Sequence, residues 1–233
     1  MKTEAPNIKT FAFDTSGSGF KFTAGQYVKV VLDWVVGDPR GTQRDFSISS
    51  PATKSVEYVS ITTTVEPNDS PFKNTLNTLK PGDYATVIGP FGRFTFQGLN
   101  DDVEVILIAG GIGITPFRSI ILTELAGGSS RWIKLVYSAK TPESLVFRRE
   151  FDELSVTHPN FKAYYTVTRP TTTEVSERVG RIDAEYVKSL TDSGGSVYYI
   201  AGPPAMVQDL SEQLTQKLSV DRERIRTEKF TGY

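Results

Sequence analysis

The first part of the chain consists of short segments in which apolar and polar residues alternate, with glycine and proline between them. Within 59–64, for example, Val59, Ile61 and Thr63 alternate with serine or threonine. This period of two is typical of strands, and many short strands separated by turns favour an antiparallel barrel or sandwich. We predict strands at residues 20–22, 26–33, 43–50, 57–65 and 84–88, and one helix at 71–79.

From residue 103 onward, continuous apolar strands alternate with helices. We predict strands at 103–109, 133–138, 161–168, 197–201 and 226–230, and helices at 116–125, 143–154, 184–190 and 205–218. This alternation requires crossover connections, which are right-handed and give a doubly wound, five-stranded parallel sheet covered on both faces. The polar segment 97–102 separates the two patterns, so we predict two domains, at 1–98 and 103–233.

Composition narrows the possible chemistry. The 233 residues carry a formal net charge of −1, with no cysteine and a single histidine, His158, which we expect to cap a helix end or to be exposed. Thiolate and multi-histidine metal sites cannot be built from this set, so we predict no metal. Without a basic surface, nucleic acid is not expected as a partner.

The chain also lacks the patterns of membrane proteins. The first six residues have no apolar core of the signal-peptide type. No run approaches the roughly 18 apolar residues that span a bilayer. We therefore expect no membrane span, a cytoplasmic location and a monomer.

Two glycine-containing loops follow apolar strands and open helices, at 109–116 and 201–206. A helix N-terminus after such a loop offers unpaired N–H groups to phosphate. Pro116 occupies the position of the third glycine in a Rossmann fingerprint, so the first loop alone fits a tight structural turn equally well. With a strand order of 3-2-1-4-5, however, both loops would converge on one crevice, which favours a dinucleotide site.

A third candidate is the segment Arg44-Asp45-Phe46-Ser47. In a strand, Arg44 and Phe46 share one face and the other two residues share the opposite face. A cation, an aromatic ring and a hydroxyl suit the pyrophosphate, the ring system and the redox-active nitrogen of a flavin dinucleotide. The alternative is an ordinary strand with an exposed arginine. The N-terminus of the helix at 71–79 could meet the same pyrophosphate, although Lys73 could equally be a solvated charge.

Four motifs in order resemble the ferredoxin–NADP reductase superfamily. They are Arg-x-Phe/Tyr-Ser, Gly-Pro-x-Gly-x-Phe, Gly-Gly-x-Gly-x-Thr-Pro and Gly-Pro-Pro-x-Met, at 44–47, 89–94, 110–116 and 202–206. The resemblance implies an FAD-binding antiparallel β-barrel followed by an NAD(P)-binding α/β domain. It also implies hydride transfer between NAD(P)H, either NADPH or NADH, and FAD.

The resemblance assigns residues to each cofactor. Those expected at FAD are Arg44, Asp45, Phe46, Ser47, Thr62, Thr64, Lys73, Asn74, Thr75 and Tyr233. Those expected at NAD(P) are Gly110, Gly111, Gly113, Thr115, Pro116, Ser138, Lys140, Arg169, Gly202, Pro203 and Met206. Ser138, Lys140 and Arg169 are the candidates for reading a 2′-phosphate, and each could instead be a solvated surface residue.

Three residues are expected to act in catalysis: Ser47 near the flavin N5, Glu228 as a proton relay and Tyr233 as a ring stacked on the flavin. Strand-end solvation is the alternative for Glu228, and a frayed tail is the alternative for Tyr233. The chain departs from many relatives at Ala201, where they have cysteine. It also has no four-cysteine cluster domain, so the electron acceptor must lie on another molecule.

The leading hypothesis is a reductase that exchanges electrons with a ferredoxin or flavodoxin. The alternative is the reductase component of an oxygenase, or a reductase of free flavin or ferric complexes. A non-catalytic flavin-binding subunit is a third hypothesis, and two intact nucleotide loops argue against it.

Overall fold

The computed structural model describes residues 1–53, 57–67, 69–170, 177–191 and 194–231. In the first half, six strands form two antiparallel three-stranded sheets, ordered β1-β2-β5 and β4-β3-β6. The elements are β1 (Lys2–Ala5), β2 (Ile8–Asp14), β3 (Tyr27–Val31), β4 (Gln43–Ser47), β5 (Tyr58–Thr64), α1 (Pro71–Thr78) and β6 (Thr86–Phe91).

The two sheets meet just after β4 and enclose one core. Ile48 pairs with Ile61 of β5, and the amide of Ser49 donates a 2.8 Å hydrogen bond to the carbonyl of Ser60. Side chains from both sheets and from α1 fill the space between them, including Val28, Val30, Leu32, Val59, Phe72 and Leu76. This arrangement confirms the predicted antiparallel barrel.

Two details of the barrel differ from the prediction. The strands β1 and β2 are not predicted, because lysine and threonine dilute their apolar alternation, yet β2 pairs with β5 along its whole length. Residues 20–22 form no strand. Phe20 and Phe22 lie with their ring centroids 6.3 Å apart and pack against the barrel core, so their apolar character reflects packing rather than pairing.

The second half is a parallel six-stranded sheet with helices between its strands. Its elements are β7 (Val105–Gly110), α2 (Ile114–Ala126), β8 (Ile133–Ala139), α3 (Arg148–Thr157), β9 (Phe161–Val167), β10 (Arg178–Val179), α4 (Ala184–Ser189), β11 (Val197–Gly202), α5 (Pro204–Leu218) and β12 (Ile225–Lys229). The order is β10-β9-β8-β7-β11-β12.

The five long strands therefore have the predicted order 3-2-1-4-5. The prediction missed the sixth strand, β10, because two residues are too few to show a period. The helix predicted at 143–154 is also corrected: a 3-10 turn covers Pro142–Ser144, Phe147 is left-handed with φ 63°, and α3 begins only at Arg148. His158 forms the C-terminal cap of α3, as expected.

Apolar residues of the central strand β7 alternate between two cores. Leu107 packs with α2 and α3 on one face of the sheet, whereas Ile106 and Ile108 pack with α4 and α5 on the other. All six residues of β7 are buried, which explains why its sequence is continuously apolar. Among the described residues, no helix combines the length and apolar character needed to cross a bilayer.

The barrel and the parallel sheet share a packed interface around Tyr199 of β11. Its ring lies 5.1 Å from the rings of both Phe94 and Phe96, and its hydroxyl donates a 2.7 Å hydrogen bond to the carbonyl of Thr95. Arg226 of β12 donates to the same carbonyl at 2.9 Å. These contacts fix the C-terminal strand of the sheet relative to the barrel, which decides the shape of the cleft between them.

Candidate functional site

The loops after β7 and β11 touch each other at the carboxyl edge of the sheet. A Cβ added to Gly113 would lie 2.4 Å from the carbonyl oxygen of Ala201, and one added to Gly110 would lie 2.3 Å from the Sδ of Met206. Gly202 has φ +151° and lies against Gly110. The structure thus brings the two predicted glycine loops together, and the backbone of Ala201 leaves no room for a larger residue at Gly113.

A cavity of about 520 Å³ opens beside these loops. Its lining includes Ser138, Pro203 and Met206, which the sequence predicts, together with Thr168, Arg181 and Asp209, which it does not. Gly111 has φ +54° and open space around the position of a Cβ, so a ligand can approach its backbone. Lys140 and Arg169 are exposed and are not among the lining residues, whereas Gly113 and Pro116 are buried in the loop packing.

A second cleft, of about 460 Å³, lies between β4 of the barrel and the end of β12. Its lining is Tyr27, Lys29, Arg40, Gln43, Arg44, Asp45, Phe46, Ser47, Glu228, Lys229, Phe230 and Thr231. A smaller cavity of about 90 Å³ continues from it toward Thr62, Lys73 and the loop after β7, through Ile112 and Thr115. The predicted flavin residues and the nucleotide loop therefore border adjoining spaces.

Ser47 and Glu228, which are 181 positions apart in sequence, meet in this cleft. The Ser47 hydroxyl, in a residue 5% exposed, donates to Oε1 of Glu228 at 3.4 Å. Burial raises the pKa of Glu228 to about 7, against the opposing effect of the hydrogen bond from Ser47. The second carboxylate oxygen, Oε2, is buried and has no hydrogen-bond partner within the described chain. This carboxyl can hold or release a proton near neutral pH.

Arg44 is held firmly on the same wall of the cleft. Its Nη2 lies 2.5 Å from Oδ1 of Asp38, and its Nη1 donates to three backbone carbonyls, the shortest at 2.6 Å to Gln43. The guanidinium carbon lies 5.1 Å from the ring centroid of Phe72, and the Phe46 ring lies 6.2 Å from the same centroid. Arg44 and Phe46 therefore share a face of β4, as the alternation predicts.

The helix α1 begins beside this arginine. Ser70 caps it by accepting from the amide of Lys73, and Oδ2 of Asp38 accepts from the amide of Phe72 at 3.0 Å. Lys73 is 7% exposed, lies 3.3 Å from Asp69 and donates to Thr64 at 2.9 Å. Lys73 is therefore not the solvated charge of the alternative interpretation.

Two further predicted flavin residues on α1 point elsewhere. Asn74 donates its side-chain amide to the carbonyl of Asp69, and Thr75 donates its hydroxyl to the carbonyl of Pro71. Neither is among the residues that line the cleft or the smaller cavity. Tyr233 lies outside the described residues. In the part of the chain that is described, no group of three or more histidine, aspartate or glutamate side chains is arranged to hold a metal ion.

Comparison with known proteins connects this geometry to a family. Residues 107–212 match the family described as "Oxidoreductase NAD-binding domain". The chain is 30% identical over 243 residues to the phenol hydroxylase P5 protein of Acinetobacter pittii, covering 99% of this chain and 63% of that protein. The structure superposes on a ferredoxin NADP+ reductase from Neisseria gonorrhoeae with a TM-score of 0.78 and 21% identity, covering 99% of this chain and 94% of that one.

The chain thus carries an oxidoreductase NAD-binding domain and has the fold of a ferredoxin NADP+ reductase. It is also 27% identical over 224 residues to a flavohemoprotein of Bacillus cereus, covering 93% of this chain and 55% of that protein. The chain thus spans about half the length of the first curated relatives that it matches. The resemblance predicted from the four motifs is confirmed in the NAD-binding domain and in the fold.

The cleft fits the flavin that superfamily members carry. Two residues of its lining each carry a buried polar atom with no hydrogen-bond partner in the described chain, Nε of Arg44 and Oε2 of Glu228, and buried polar atoms in native proteins normally have a partner. Sequence reasoning missed Arg40 and Phe230 in the lining. The sequence signal for Arg40 is its place between Pro39 and Gly41, a composition typical of a turn, shortly before the 44–47 motif.

Proposed function

We propose that this chain is an FAD-dependent oxidoreductase that takes a hydride from NAD(P)H and passes electrons to an acceptor on a separate molecule. The observation that carries the proposal is the pair Ser47 and Glu228, joined at 3.4 Å in a cleft that also contains Arg44 and Phe46. The solved relative from Neisseria gonorrhoeae has FAD and NADP bound, which supports the same two cofactors here.

The protein side chains would orient the flavin and supply or accept a proton. When bound, FAD supplies a hydride-accepting ring and the conversion between two-electron and one-electron transfer. Ser47 donates a hydrogen bond inside the cleft, and its contact with Glu228 fixes where that hydroxyl lies. Glu228, with a pKa of about 7, can hold or release a proton in the cleft where the flavin would lie. Phe46 contributes ring area without the hydroxyl of the tyrosine found in many relatives.

The loops of the parallel sheet form the side of the site that faces the barrel and would bind the coenzyme. The backbone of Gly111 is approachable, and Gly202, Pro203 and Met206 form the facing loop beside the 520 Å³ cavity. Bringing the nicotinamide to the flavin in a water-poor contact lowers the barrier through orientation. Thr115 and Ile112 border the adjoining cavity, so the nicotinamide end of the coenzyme belongs on that side.

For the coenzyme, we propose NADPH, with NADH as the second candidate. Ser138 and Arg181 line the cavity and offer a hydroxyl and a positive charge to a 2′-phosphate. Lys140 and Arg169 remain predictions outside this lining. Replacing Arg169 and, separately, Arg181 by alanine distinguishes them. The variant that lacks the residue contacting the 2′-phosphate should have a higher KM for NADPH and an unchanged KM for NADH. Equal effects on both coenzymes would contradict either assignment.

For the acceptor, we propose a ferredoxin or flavodoxin. The second candidate is an oxygenase, which the similarity to the phenol hydroxylase P5 protein favours. Reduction of free flavin or ferric complexes stays an alternative. The cytoplasmic location, the monomeric state, the stacking of Tyr233 and the division into 1–98 and 103–233 likewise stay predictions.

The test is to purify the full chain, add FAD, remove free flavin and mix the protein anaerobically with NADPH or NADH. We expect the purified protein to be yellow and its flavin absorbance to bleach when NADPH or NADH is added. One of the candidate acceptors should then reoxidise the bound flavin. Protein that retains no flavin, or flavin that neither coenzyme bleaches, would refute the proposal.

A further inference from the structure

The positive charges near α1 are unequally available to a ligand. Three cationic side chains line the smaller cavity: Arg40, Arg44 and Lys73. Arg44 is paired with Asp38 at 2.5 Å, and Lys73 is paired with Asp69 at 3.3 Å. Arg40 is exposed and has no ion-pair partner among the residues that the structure describes. It is therefore the cation with its full charge open to the cavity.

The N-terminus of α1 is also occupied by the chain itself. Pro71 has no N–H, the amide of Phe72 donates to Asp38 at 3.0 Å, and the amide of Lys73 donates to the Ser70 hydroxyl at 3.4 Å. The helix end thus has few free donors for a phosphate, in contrast to the expectation from sequence. A carboxylate already stands where an anion would approach the helix.

Asp38 also fixes the position of Arg40. Its Oδ1 accepts from the backbone amide of Arg40 at 2.9 Å, while Arg44 Nη1 donates to the carbonyl of Arg40 at 3.1 Å. Burial acts to raise the pKa of Asp38, but the two backbone hydrogen bonds and the contact with Arg44 outweigh it and lower the pKa to about 2. Asp38 is therefore a permanent anion that neutralises Arg44 and ties the backbone of Arg40 to the start of α1.

We infer that Arg40, rather than Arg44 alone, supplies the positive charge that holds the flavin pyrophosphate, and that it makes the site favour flavins with phosphate over riboflavin. The inference rests on the proposed FAD function. A planar guanidinium with five donors can bond two phosphate oxygens at once. Arg40 borders both the large cleft and the smaller cavity, so it stands where a ligand would pass from one to the other.

The test compares FAD with riboflavin, which has the same ring system and no phosphate. Each is titrated into flavin-freed full-length protein while flavin fluorescence is followed. Arg40→Gln is expected to weaken FAD binding about tenfold, the size of one exposed charge-assisted hydrogen bond, and to leave riboflavin binding unchanged. The difference should shrink at high salt, because exposed charges are screened.

Lys80→Gln is the control, because it removes a positive charge from an exposed residue just past the other end of α1. Because the Arg40 side chain is exposed, its variant is expected to keep the wild-type unfolding midpoint. Arg44→Gln would be a poor probe, since it leaves Asp38 buried without its partner.

Unchanged FAD affinity in Arg40→Gln would overturn the inference, and so would an equal loss for FAD and riboflavin, which would place Arg40 at the ring. If either of these results is found while the wild-type chain binds FAD and its flavin is reduced by NAD(P)H, only the role of Arg40 fails. If the wild-type chain binds neither flavin, the proposed function itself fails.

Discussion

The pH dependence of folding offers a direct test of the environment assigned to Glu228. Burial raises its pKa from 4.5 to about 7. Between these values the folded protein binds a proton that the unfolded chain has released, so stability falls as pH rises through this window. At about 1.4 kcal/mol per pKa unit, the wild-type protein should lose about 3 kcal/mol of unfolding free energy from this group. The full stability is present below about pH 4.5, and the loss is complete above about pH 7.

The assay is urea unfolding of wild-type protein and of Glu228→Gln at a series of pH values, with the same flavin loading in both. Glutamine does not titrate, so the difference between the two proteins should change by about 3 kcal/mol across the window, with wild type losing stability toward high pH. Glu185→Gln, at an exposed carboxyl on α4, controls for the general loss of a negative charge. Parallel curves for wild type and Glu228→Gln would refute the buried carboxyl.

Three further predictions concern the site and its frame. Ser47→Ala should slow reduction of bound flavin by NAD(P)H about tenfold in stopped-flow experiments, because a hydrogen bond worth about 1–3 kcal/mol is lost; full-speed reduction would contradict its role. Gly113→Ala places a Cβ 2.4 Å from the Ala201 carbonyl oxygen and should lower the unfolding free energy by about 1–3 kcal/mol. Gly195→Ala, for which no atom of the described residues lies within 4 Å of the added Cβ, is the matched control, and equal unfolding midpoints would count against the close approach. Removing residues 232–233 should alter the flavin absorption spectrum and the coenzyme affinity, and unchanged spectra and kinetics would remove the stacking role.

The arrangement of the two halves could be predicted because it depends on patterns with a clear period. The apolar runs of β7 and β11 identify buried parallel strands, and the rule for doubly wound sheets places their loops side by side. Strands that are very short or that have a weak apolar alternation were not predicted. Examples are the two-residue β10 and β2, which contains lysine and threonine. Their strand character comes from the partner strand that they pair with rather than from their own composition.

The site was only partly predictable. Ser47 and Glu228 could be nominated from the resemblance, but no local pattern joins residues on two different sheets. The pairing of Arg44 with Asp38, and so the availability of Arg40, depends on how the loop before β4 folds back on α1. These contacts join side chains that the fold brings together in space. The residues next to them in sequence do not indicate which partners they will meet. For this reason the sequence favours Arg44 as the phosphate ligand, whereas the structure draws attention to Arg40.

We propose that a flavin lies against a nicotinamide in the cleft between β4 and β12. The most direct measurement is the rate at which bound FAD bleaches in anaerobic rapid mixing with coenzyme deuterated at its transferable carbon, compared with unlabelled coenzyme. We predict rapid bleaching that is slower with the deuterated coenzyme and slower again in Ser47→Ala. Direct hydride transfer in this cleft would be contradicted if the flavin did not bleach. It would also be contradicted if the rate were the same with deuterated and unlabelled coenzyme and the same in wild type and Ser47→Ala.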